Sequence, residues 1–247
     1  MIDESDNWIV VDKPAPLAVH PANGKVEPTL LDGLRALLAC ELADGTGLSI
    51  ITRLDRETSG IVLVAKGREA AREFSVQFEQ KMAVKEYLAI VHGWPHWQEL
   101  KLEGPLIRAG EIRESAVWLR QMVHLEGKPC VTSFRVEHRF ENALGRFALI
   151  RCFPRTGRKH QIRAHLEHLE HPIVGDKIYG TDGIPYLEQM ADGLSDASVS
   201  RLILSRHALH ATRLSVTYGG KILEWNSPLP PELSRFTESH GVGSSHG

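Results

Sequence analysis

An unbroken apolar run at residues 61–65 constrains the fold of this chain more than any other segment. It lies between Gly60 and the pair Lys66 and Gly67. A strand with apolar side chains at successive positions has both faces buried, so the run predicts a strand in the interior of a sheet. The 247 residues are 42% hydrophobic and 24% charged. This ordinary globular composition excludes extensive disorder and collagen-like repeats.

Apolar periodicity predicts a mixture of strands and helices around this run. Thr29 is the expected N-cap of a helix that begins with a capping box and ends by Gly45 and Gly47. The apolar face of this helix consists of Leu31, Leu34, Leu38 and Leu42. Further helices are predicted through Phe74, Phe78 and Met82, over residues 158–169, and over residues 202–209.

The remaining segments predict strands, turns and a tail. Strands are expected at residues 8–11, 87–91, 134–140, 147–153, 214–218 and 222–225, with turns at Gly145 and at Gly219 and Gly220. Residues 181–200 are predicted to be a loop, and residues 237–247 a disordered tail. The chain is therefore expected to form one α+β domain over residues 1–236, with a largely antiparallel mixed sheet flanked by helices.

The small net charge hides one strongly basic segment. The chain has 29 Lys and Arg against 31 Asp and Glu, so any site for a polyanion must be a local patch. Residues 146–166 contain no acid, and their cations are Arg146, Arg151, Arg155, Arg158, Lys159 and Arg163. The amides at the start of the predicted helix would add to this positive field, which favours phosphate binding. A solvated basic face is the alternative.

Cysteine use and the N-terminus indicate the compartment. Cys40, Cys130 and Cys152 form no CxxC pair, which favours buried thiols in a reducing environment. The acidic N-terminus lacks a signal peptide, and no apolar stretch reaches the roughly 18 residues of a membrane span. We therefore expect a soluble cytoplasmic protein.

Asp55 is the first candidate for chemistry. It lies between Arg53 and Arg56, whose charges favour an ionised carboxylate, and a tight turn at residues 58–60 would orient it. Such a carboxylate is a candidate nucleophile or base. The alternative is a solvated loop that makes its own surface ion pair.

Two further sets of residues each permit more than one role. His165 and His168 have a spacing that permits metal binding, but no HExxH motif or cysteine pair supports a metal site. Tyr87 begins a predicted strand, where it is either a core contact or a flat face for a base. No GxxxxGK[ST] or GxGxxG motif is present, which argues against a nucleotide-driven enzyme or a Rossmann dehydrogenase.

Taken in order, these segments resemble the motifs of the RluA-type family of pseudouridine synthases. The matching segments are residues 11–14 with 20–21, 53–60, 85–87, 156–165, 171–180 and 209–214. Two features depart from the family pattern. Thr52 stands where the family usually has His, which affects a supporting contact. Many members also carry an N-terminal S4 domain, and we expect none here, because the opening motif at residues 11–14 lies close to Met1.

The resemblance implies an enzyme that isomerises a uridine of RNA to pseudouridine with no cofactor and no metal. Asp55 is the implied catalytic residue, Tyr87 stacks on the target base, and Arg163 pairs with the aspartate. Arg53 is implied to fill the stack that the flipped base leaves. The other implied RNA-binding residues are Arg56, Arg155, Arg158, Lys159 and His160.

Two other functions compete with this hypothesis. One is an RNA-binding protein of the same fold without catalysis, for which Thr52 is the only nearby argument. The other is a metal-dependent hydrolase built on the histidines. The implied substrate is tRNA or both tRNA and rRNA, with a lean toward tRNA, and residues 181–200 are expected to affect substrate choice. A monomer is expected.

Overall fold

The computed structural model describes residues 1–21, 27–40 and 47–238. Its strands are β1 Asp3–Glu4, β2 Trp8–Lys13, β3 Leu48–Ile50, β4 Ser59–Lys66, β5 Val84–His92, β6 Glu99–Glu103, β7 Leu106–Arg108, β8 Gln121–Val123, β9 Val131–Asn142, β10 Gly145–Pro154, β11 Leu209–Tyr218 and β12 Lys221–Asn226. Its α-helices are α1 Leu30–Leu37, α2 Arg68–Glu79, α3 Gln161–His168, α4 Ile184–Ala191, α5 Asp196–Leu202 and α6 Pro231–Glu238. A 3-10 turn covers Ala109–Glu111.

The chain forms two compact units. The first combines Met1–Glu86 with His210–Pro228, and the second combines Tyr87–Leu209 with the segment that begins at Leu229. The first unit is therefore discontinuous in sequence. The single domain expected over residues 1–236 stays a prediction.

Strand β4 is the centre of the first unit. It pairs antiparallel with β2 over residues 60–65 and with β3 at its C-terminal end, and it pairs parallel with β11 at its start. All of its residues are buried, which confirms the interior strand predicted from the apolar run. One apolar cluster contains Leu63 and Phe74 of α2, and another contains Val62 and Leu34 of α1, so both faces of β4 are covered.

The second unit contains the antiparallel order β5-β10-β9-β6 and a small separate pair, β7-β8. Its main core joins apolar residues of β5, β9 and β10 to α3, with Ile90, Ile150 and Leu166 fully buried. A smaller cluster lies beside the β7-β8 pair and includes Val117, Ala164 and Tyr179.

Most of the predicted elements are confirmed. Thr29 is the N-cap of α1, and its capping box with Asp32 is formed. The turn between β11 and β12 contains Gly219 and Gly220, both with positive φ, as a tight hairpin requires. The architecture is α+β with mostly antiparallel pairing, as expected. Among the described residues, no helix has both the length and the apolar character needed to span a bilayer.

Several boundaries and elements differ from expectation. The predicted helix over residues 202–209 is absent: α5 ends at Leu202 and β11 begins at Leu209. The predicted loop at residues 181–200 contains α4 and most of α5. Helix α1 ends at Leu37, well before Gly47, and α2 ends at Glu79, so Met82 lies outside it. Residues 237–238 belong to α6 and not to a tail. Leu42, Gly45 and residues 239–247 lie outside the described residues.

Candidate functional site

Asp55 belongs to the first unit and lies on a tight turn that leads into β4. The N–H of Thr58 donates to the carbonyl oxygen of Asp55 at 3.1 Å, which closes the turn through Arg56 and Glu57. The expected turn at residues 58–60 is therefore displaced, because Ser59 and Gly60 are already part of β4. Asp55 itself is half-buried. The turn thus presents a partly accessible carboxylate at the start of the most buried strand of the unit.

A buried lysine, Lys13, holds the backbone of this turn. Lys13 is 0% exposed, and its Nζ donates to the carbonyl oxygens of Leu17 at 2.7 Å, Pro14 at 3.0 Å and Arg56 at 3.2 Å. The Leu17 N–H also donates to the Arg56 carbonyl, at 2.9 Å. A buried ammonium group requires such acceptors, so its position is tightly determined. Lys13 follows Ile9 and Val11 at two-residue spacing on β2, so the three side chains lie on one face of the strand. A lysine at an apolar position of this pattern is the sequence signal that identifies it.

Thr52 anchors the entry to the same turn. Its Oγ1 accepts a hydrogen bond from the N–H of Leu63 at 2.8 Å, and its own N–H donates to the Leu63 carbonyl at 3.3 Å. Thr52 thus binds the loop to the middle of β4. The residue that departs from the family pattern therefore has a structural contact of its own.

Close contact with β11 fixes the exit from the turn. Ser59 pairs with His210, and Gly60 pairs with Ala211. Gly60 has φ +109°, and a Cβ there would lie 2.2 Å from the Ala211 carbonyl oxygen, so only glycine fits. The Ser59 Oγ lies 2.9 Å from His210 Nδ1. Two of the motifs that resembled the family, 151 residues apart, are therefore one piece of structure.

Arg53 and Arg56 flank Asp55 and are exposed. Arg56 lies 3.3 Å from Glu27, and both side chains are about half exposed. An ion pair this exposed contributes little to stability and is readily exchanged for another anion. Both arginines are therefore accessible to a polyanionic ligand.

The basic segment of the second unit is less uniform than its sequence indicated. Arg146 pairs with Glu141, Arg151 with Glu137, and Arg163 with Asp176. Arg155, Arg158 and Lys159 are exposed, and none of the three forms an ion pair with any residue that the structure describes. Together with His160 they form the basic loop, residues 155–160. The local cationic surface expected from the sequence is thus concentrated here.

Gln161 supports the basic loop from inside. Its Oε1 accepts from Thr156 Oγ1 at 2.8 Å and from the Arg158 N–H at 3.0 Å, and its Nε2 donates to the Val131 carbonyl at 3.0 Å. Helix α3 begins at Gln161, so the helix start expected at residue 158 is wrong, and the Arg158 amide is already bonded to a side chain. Sequence reasoning gave Gln161 no role.

Two histidines beside the basic loop are buried. His160 has φ +54° and is 9% exposed, and its Nδ1 lies 3.1 Å from the Tyr179 hydroxyl, which favours a supporting role over a phosphate contact. His165 is 0% exposed, with Nδ1 at 2.9 Å from Thr132 Oγ1 and Nε2 at 2.8 Å from the Gly104 carbonyl. Burial lowers the pKa of His165. Both of its ring nitrogens are engaged, and the described parts of the chain contain no group of three residues suited to a metal.

Arg163 and Asp176 form a buried pair that sequence reasoning missed. Arg163 Nε lies 2.6 Å from Asp176 Oδ2, and Nη2 lies 2.9 Å from Oδ1. Burial acts to raise the pKa of Asp176, but the Arg163 charge and hydrogen bonds outweigh it and lower that pKa to about 2. Asp176 Oδ1 also accepts from the N–H groups of Ile178 and Tyr179. The segment after α3 is therefore fixed to the helix, and the pairing of Arg163 with Asp55 stays a prediction.

Tyr87 lies on β5 in the second unit. It is half-buried, opposite Cys152 of β10, and packs against the main core of that unit. Glu86, just before it in the first unit, is buried and pairs with Arg213 of β11. The tyrosine thus occupies a strand position with a partly accessible ring, which fits either of the roles left open for it.

Comparison with solved structures defines the class of the fold. The human proteins named RNA pseudouridylate synthase domain containing 1 and domain containing 4 superpose with TM-scores of 0.71 and 0.72. They share 24% and 23% identity with the chain and cover 94% and 96% of it, and the chain covers 84% and 91% of theirs. The fold is therefore that of RNA pseudouridine synthases.

The family follows from sequence comparison. The model of the family described as RNA pseudouridylate synthase matches residues 7–168, and the chain belongs to this family of RNA-modifying isomerases. Ribosomal large subunit pseudouridine synthase D of Nitrosomonas europaea is 37% identical over 96% of the chain, and synthase C of Salmonella typhi is 36% identical over 95%. The chain spans 63% and 68% of the length of these two curated relatives.

Proposed function

We propose that this protein is an RNA pseudouridine synthase that isomerises a specific uridine of rRNA, tRNA or both. The observation that carries the proposal is the Asp55 turn. Three separate anchors, at Lys13, Thr52 and Gly60, hold an accessible carboxylate at the start of β4. A reacting carboxylate must be held in one position, and these contacts hold the turn that carries Asp55.

The proposed reaction breaks the C1′–N1 bond of the uridine, rotates the base, and forms a C1′–C5 bond. The proton on C5 is lost and N1 gains one, so the atoms balance without any cofactor, metal or oxidant. Asp55 is proposed to start the reaction, and attack on the ribose, attack on the base, and removal of the C2′ proton are all compatible with a carboxylate. Tyr87 is proposed to stack on the base and assist proton transfer, and Arg163 to keep the aspartate ionised.

The proposed RNA contacts follow from exposure and charge. A uridine within stacked RNA must be flipped out at a cost of a few kcal/mol, and Arg53 is proposed to occupy the vacated position. Arg56 and the exposed cations Arg155, Arg158 and Lys159 of the basic loop are proposed to bind phosphates. His160 is proposed to support that loop.

The substrate pool is proposed from the relatives. Both curated relatives carry names that refer to the large ribosomal subunit, which supports rRNA as the first pool to test. The tRNA pool remains the second, on the resemblance described above. The protein is proposed to act in the cytoplasm, as a monomer, with residues 1–236 as its catalytic domain.

Release of tritium tests the proposal directly. Transcripts of rRNA and tRNA labelled with tritium at uridine C5 lose the label to water only when C5 forms the new bond. The wild type should release label in the presence of EDTA, and Asp55→Asn should not, while both bind RNA with similar affinity. Activity of more than a few per cent in Asp55→Asn would contradict the role of Asp55. Binding without release by the wild type would instead favour the RNA-binding protein without catalysis.

A further inference from the structure

The second unit contains a groove whose lining residues, except Lys159, have no role in the proposed function. Its volume is about 570 Å³, within the range of roughly 300–1,000 Å³ typical of ligand sites. It is formed by the β7-β8 pair, the 3-10 turn between them and the turn that follows β8. The charged and aromatic side chains that line it are Arg108, Glu111, Trp118, Glu126, Lys128 and Lys159.

Trp118 gives the groove an open aromatic surface. Its side chain is 69% exposed, although tryptophan is among the residues most often covered in folded proteins. The guanidinium of Arg108 lies 4.0 Å from the ring centroid, and Arg108 Nε donates to Glu111 at 3.0 Å. The guanidinium therefore makes a cation–π contact with the indole. One ring face is therefore occupied by the cation, and the exposure of Trp118 leaves the other available for stacking.

The frame around the groove is rigid. Leu106 and Lys128 exchange backbone hydrogen bonds of 3.0 and 2.8 Å. A Cβ on Gly127 would lie 2.6 Å from the carbonyl carbon of Leu106, so the two segments touch without room for a side chain. Gln121 of β8 donates its N–H to the Tyr179 hydroxyl at 2.9 Å. The groove is thus fixed to the same tyrosine that bonds His160 of the basic loop.

The charges of the groove favour an anionic ligand. Lys128 and Lys159 are exposed, and Lys159 belongs to the basic loop, so the groove continues the surface proposed to bind RNA. Of the two carboxylates, Glu111 is already paired with Arg108. The lining thus has three cations against two carboxylates, which gives it a net positive charge.

We infer that this groove binds an unpaired nucleotide of the substrate RNA, outside the target uridine. The base stacks on the open face of Trp118, and the flanking phosphates contact Lys128 and Lys159. Stacking on an aromatic side chain requires a base that has left its own stack, so the groove selects single-stranded or bulged RNA over a perfect duplex. The inference rests on the proposed function, since it assigns a second contact to the same substrate.

Trp118→Ala in the whole 247-residue chain tests the inference. Binding is followed by fluorescence anisotropy with two labelled probes, a short oligouridine and a fully paired RNA duplex. Loss of one base–aromatic stack should weaken oligouridine binding about 5- to 150-fold. Trp118→Phe should retain most of the affinity, and binding to the duplex should change little. In the tritium assay, Trp118→Ala should raise KM and leave kcat nearly unchanged.

Trp94 provides a matched control. It is also an exposed tryptophan of the second unit, at 41%, and it also lies under a guanidinium, with Arg146 at 4.7 Å from the ring centroid. Its indole donates to the Phe140 carbonyl, and it does not line the groove. Trp94→Ala should therefore leave oligouridine binding unchanged.

The outcomes separate this inference from the proposed function. Unchanged oligouridine affinity in a folded Trp118→Ala protein would overturn the groove, even if Asp55→Asn abolishes tritium release. An equal loss with Trp94→Ala, or with the paired duplex, would overturn it as well. If the wild type releases no tritium but its oligouridine binding depends on Trp118, the proposed function fails and the groove stands as an RNA-binding surface.

Discussion

The turn of Asp55 and the basic loop are held in opposite ways. The turn is fixed at its own backbone, since Lys13 binds the carbonyl of Arg56 and Thr52 binds the backbone of Leu63. The basic loop is supported by one buried side chain, Gln161, while its cations extend into solvent. The first arrangement restricts the position of one group, and the second fixes a backbone whose charged side chains are exposed.

This difference corresponds to the two kinds of chemistry proposed. A reacting carboxylate must be placed within about 0.5 Å of its productive position. Charges that attract phosphates act over a Debye length of about 8 Å and need no such accuracy. Substitution of a residue that holds the Asp55 turn should therefore mainly lower kcat. Substitution of a residue that holds the basic loop should mainly weaken RNA affinity.

The largest effect on stability is expected from Asp176→Asn, which leaves Arg163 buried without its counter-charge. Breaking a buried pair costs about 3–5 kcal/mol. The pKa of Asp176 is lowered from the usual 3.8 to about 2, so its contribution is complete above pH 4 and is lost as the pH falls through about 2. Urea unfolding should show a deficit at pH 7 that shrinks toward pH 2. Asp192→Asn, at an exposed helix end, should show no deficit. A deficit independent of pH would contradict the assignment.

Lys13→Met should separate catalysis from binding. Removing the ammonium leaves buried carbonyl oxygens with fewer donors, at a cost of about 1–3 kcal/mol. It also frees the turn of Asp55, which carries Arg53 and Arg56 as well, so kcat should fall by a larger factor than the Kd for RNA rises. Lys66→Met is the matched control, because Lys66 is also buried but pairs with Glu4 at the far end of β4. If both variants lower kcat equally, the effect comes from stability and not from the turn.

Gln161→Leu should give the reverse result. It removes the acceptor of Thr156 Oγ1 and of the Arg158 N–H, so the basic loop should lose its fixed path at a cost of about 1–2 kcal/mol. RNA affinity should then fall more than kcat does. Gln98→Leu, which removes a side-chain bond to the Val136 carbonyl, is the control. A fall in kcat at unchanged affinity would reverse the comparison between the two loops.

The smallest effect is expected from Arg158→Ala. An exposed cation that contacts one phosphate adds about 0.7–0.9 to the slope of log Kd against log salt concentration. Removing it should lower the slope by that amount and leave the free energy of unfolding unchanged. Arg151→Ala removes a cation that is paired with Glu137 and only partly exposed, and should leave the slope as it is. An unchanged slope in Arg158→Ala would remove this residue from the RNA surface.

Local signals predicted part of the fold well. The capping box at Thr29, the interior strand β4 and the hairpin at Gly219 and Gly220 depend on residues within a few positions of one another. Local signals also mark helices α4 and α5, although residues 181–200 are predicted to be a loop. Pro185 lies in the first turn of α4, and Ser195 caps α5 by accepting from the Ser198 N–H.

Contacts distant in sequence decided the rest. Residues 203–208 do not form the predicted helix, because the Ser205 carbonyl accepts from Lys177 and the Ala208 N–H donates to the Val174 carbonyl. The role of Lys13 depends in part on a carbonyl 43 positions away, and that of Asp176 on an arginine 13 positions away. The position of Asp55 could be predicted from its motif, but the groups that hold it could not.

The interrupted course of the first unit has a consequence for its synthesis. Strand β4 is made early, but its parallel partner β11 follows only after residues 87–209. At about 5–20 residues per second, a ribosome needs roughly 6–25 s to make that intervening segment. During this interval, the edge of β4 at Ser59 and Gly60 lacks its partner and is open to pairing with another chain. The basic loop is thus made before β11 completes the support of the Asp55 turn, and this edge of β4 stays unpaired until β11 emerges.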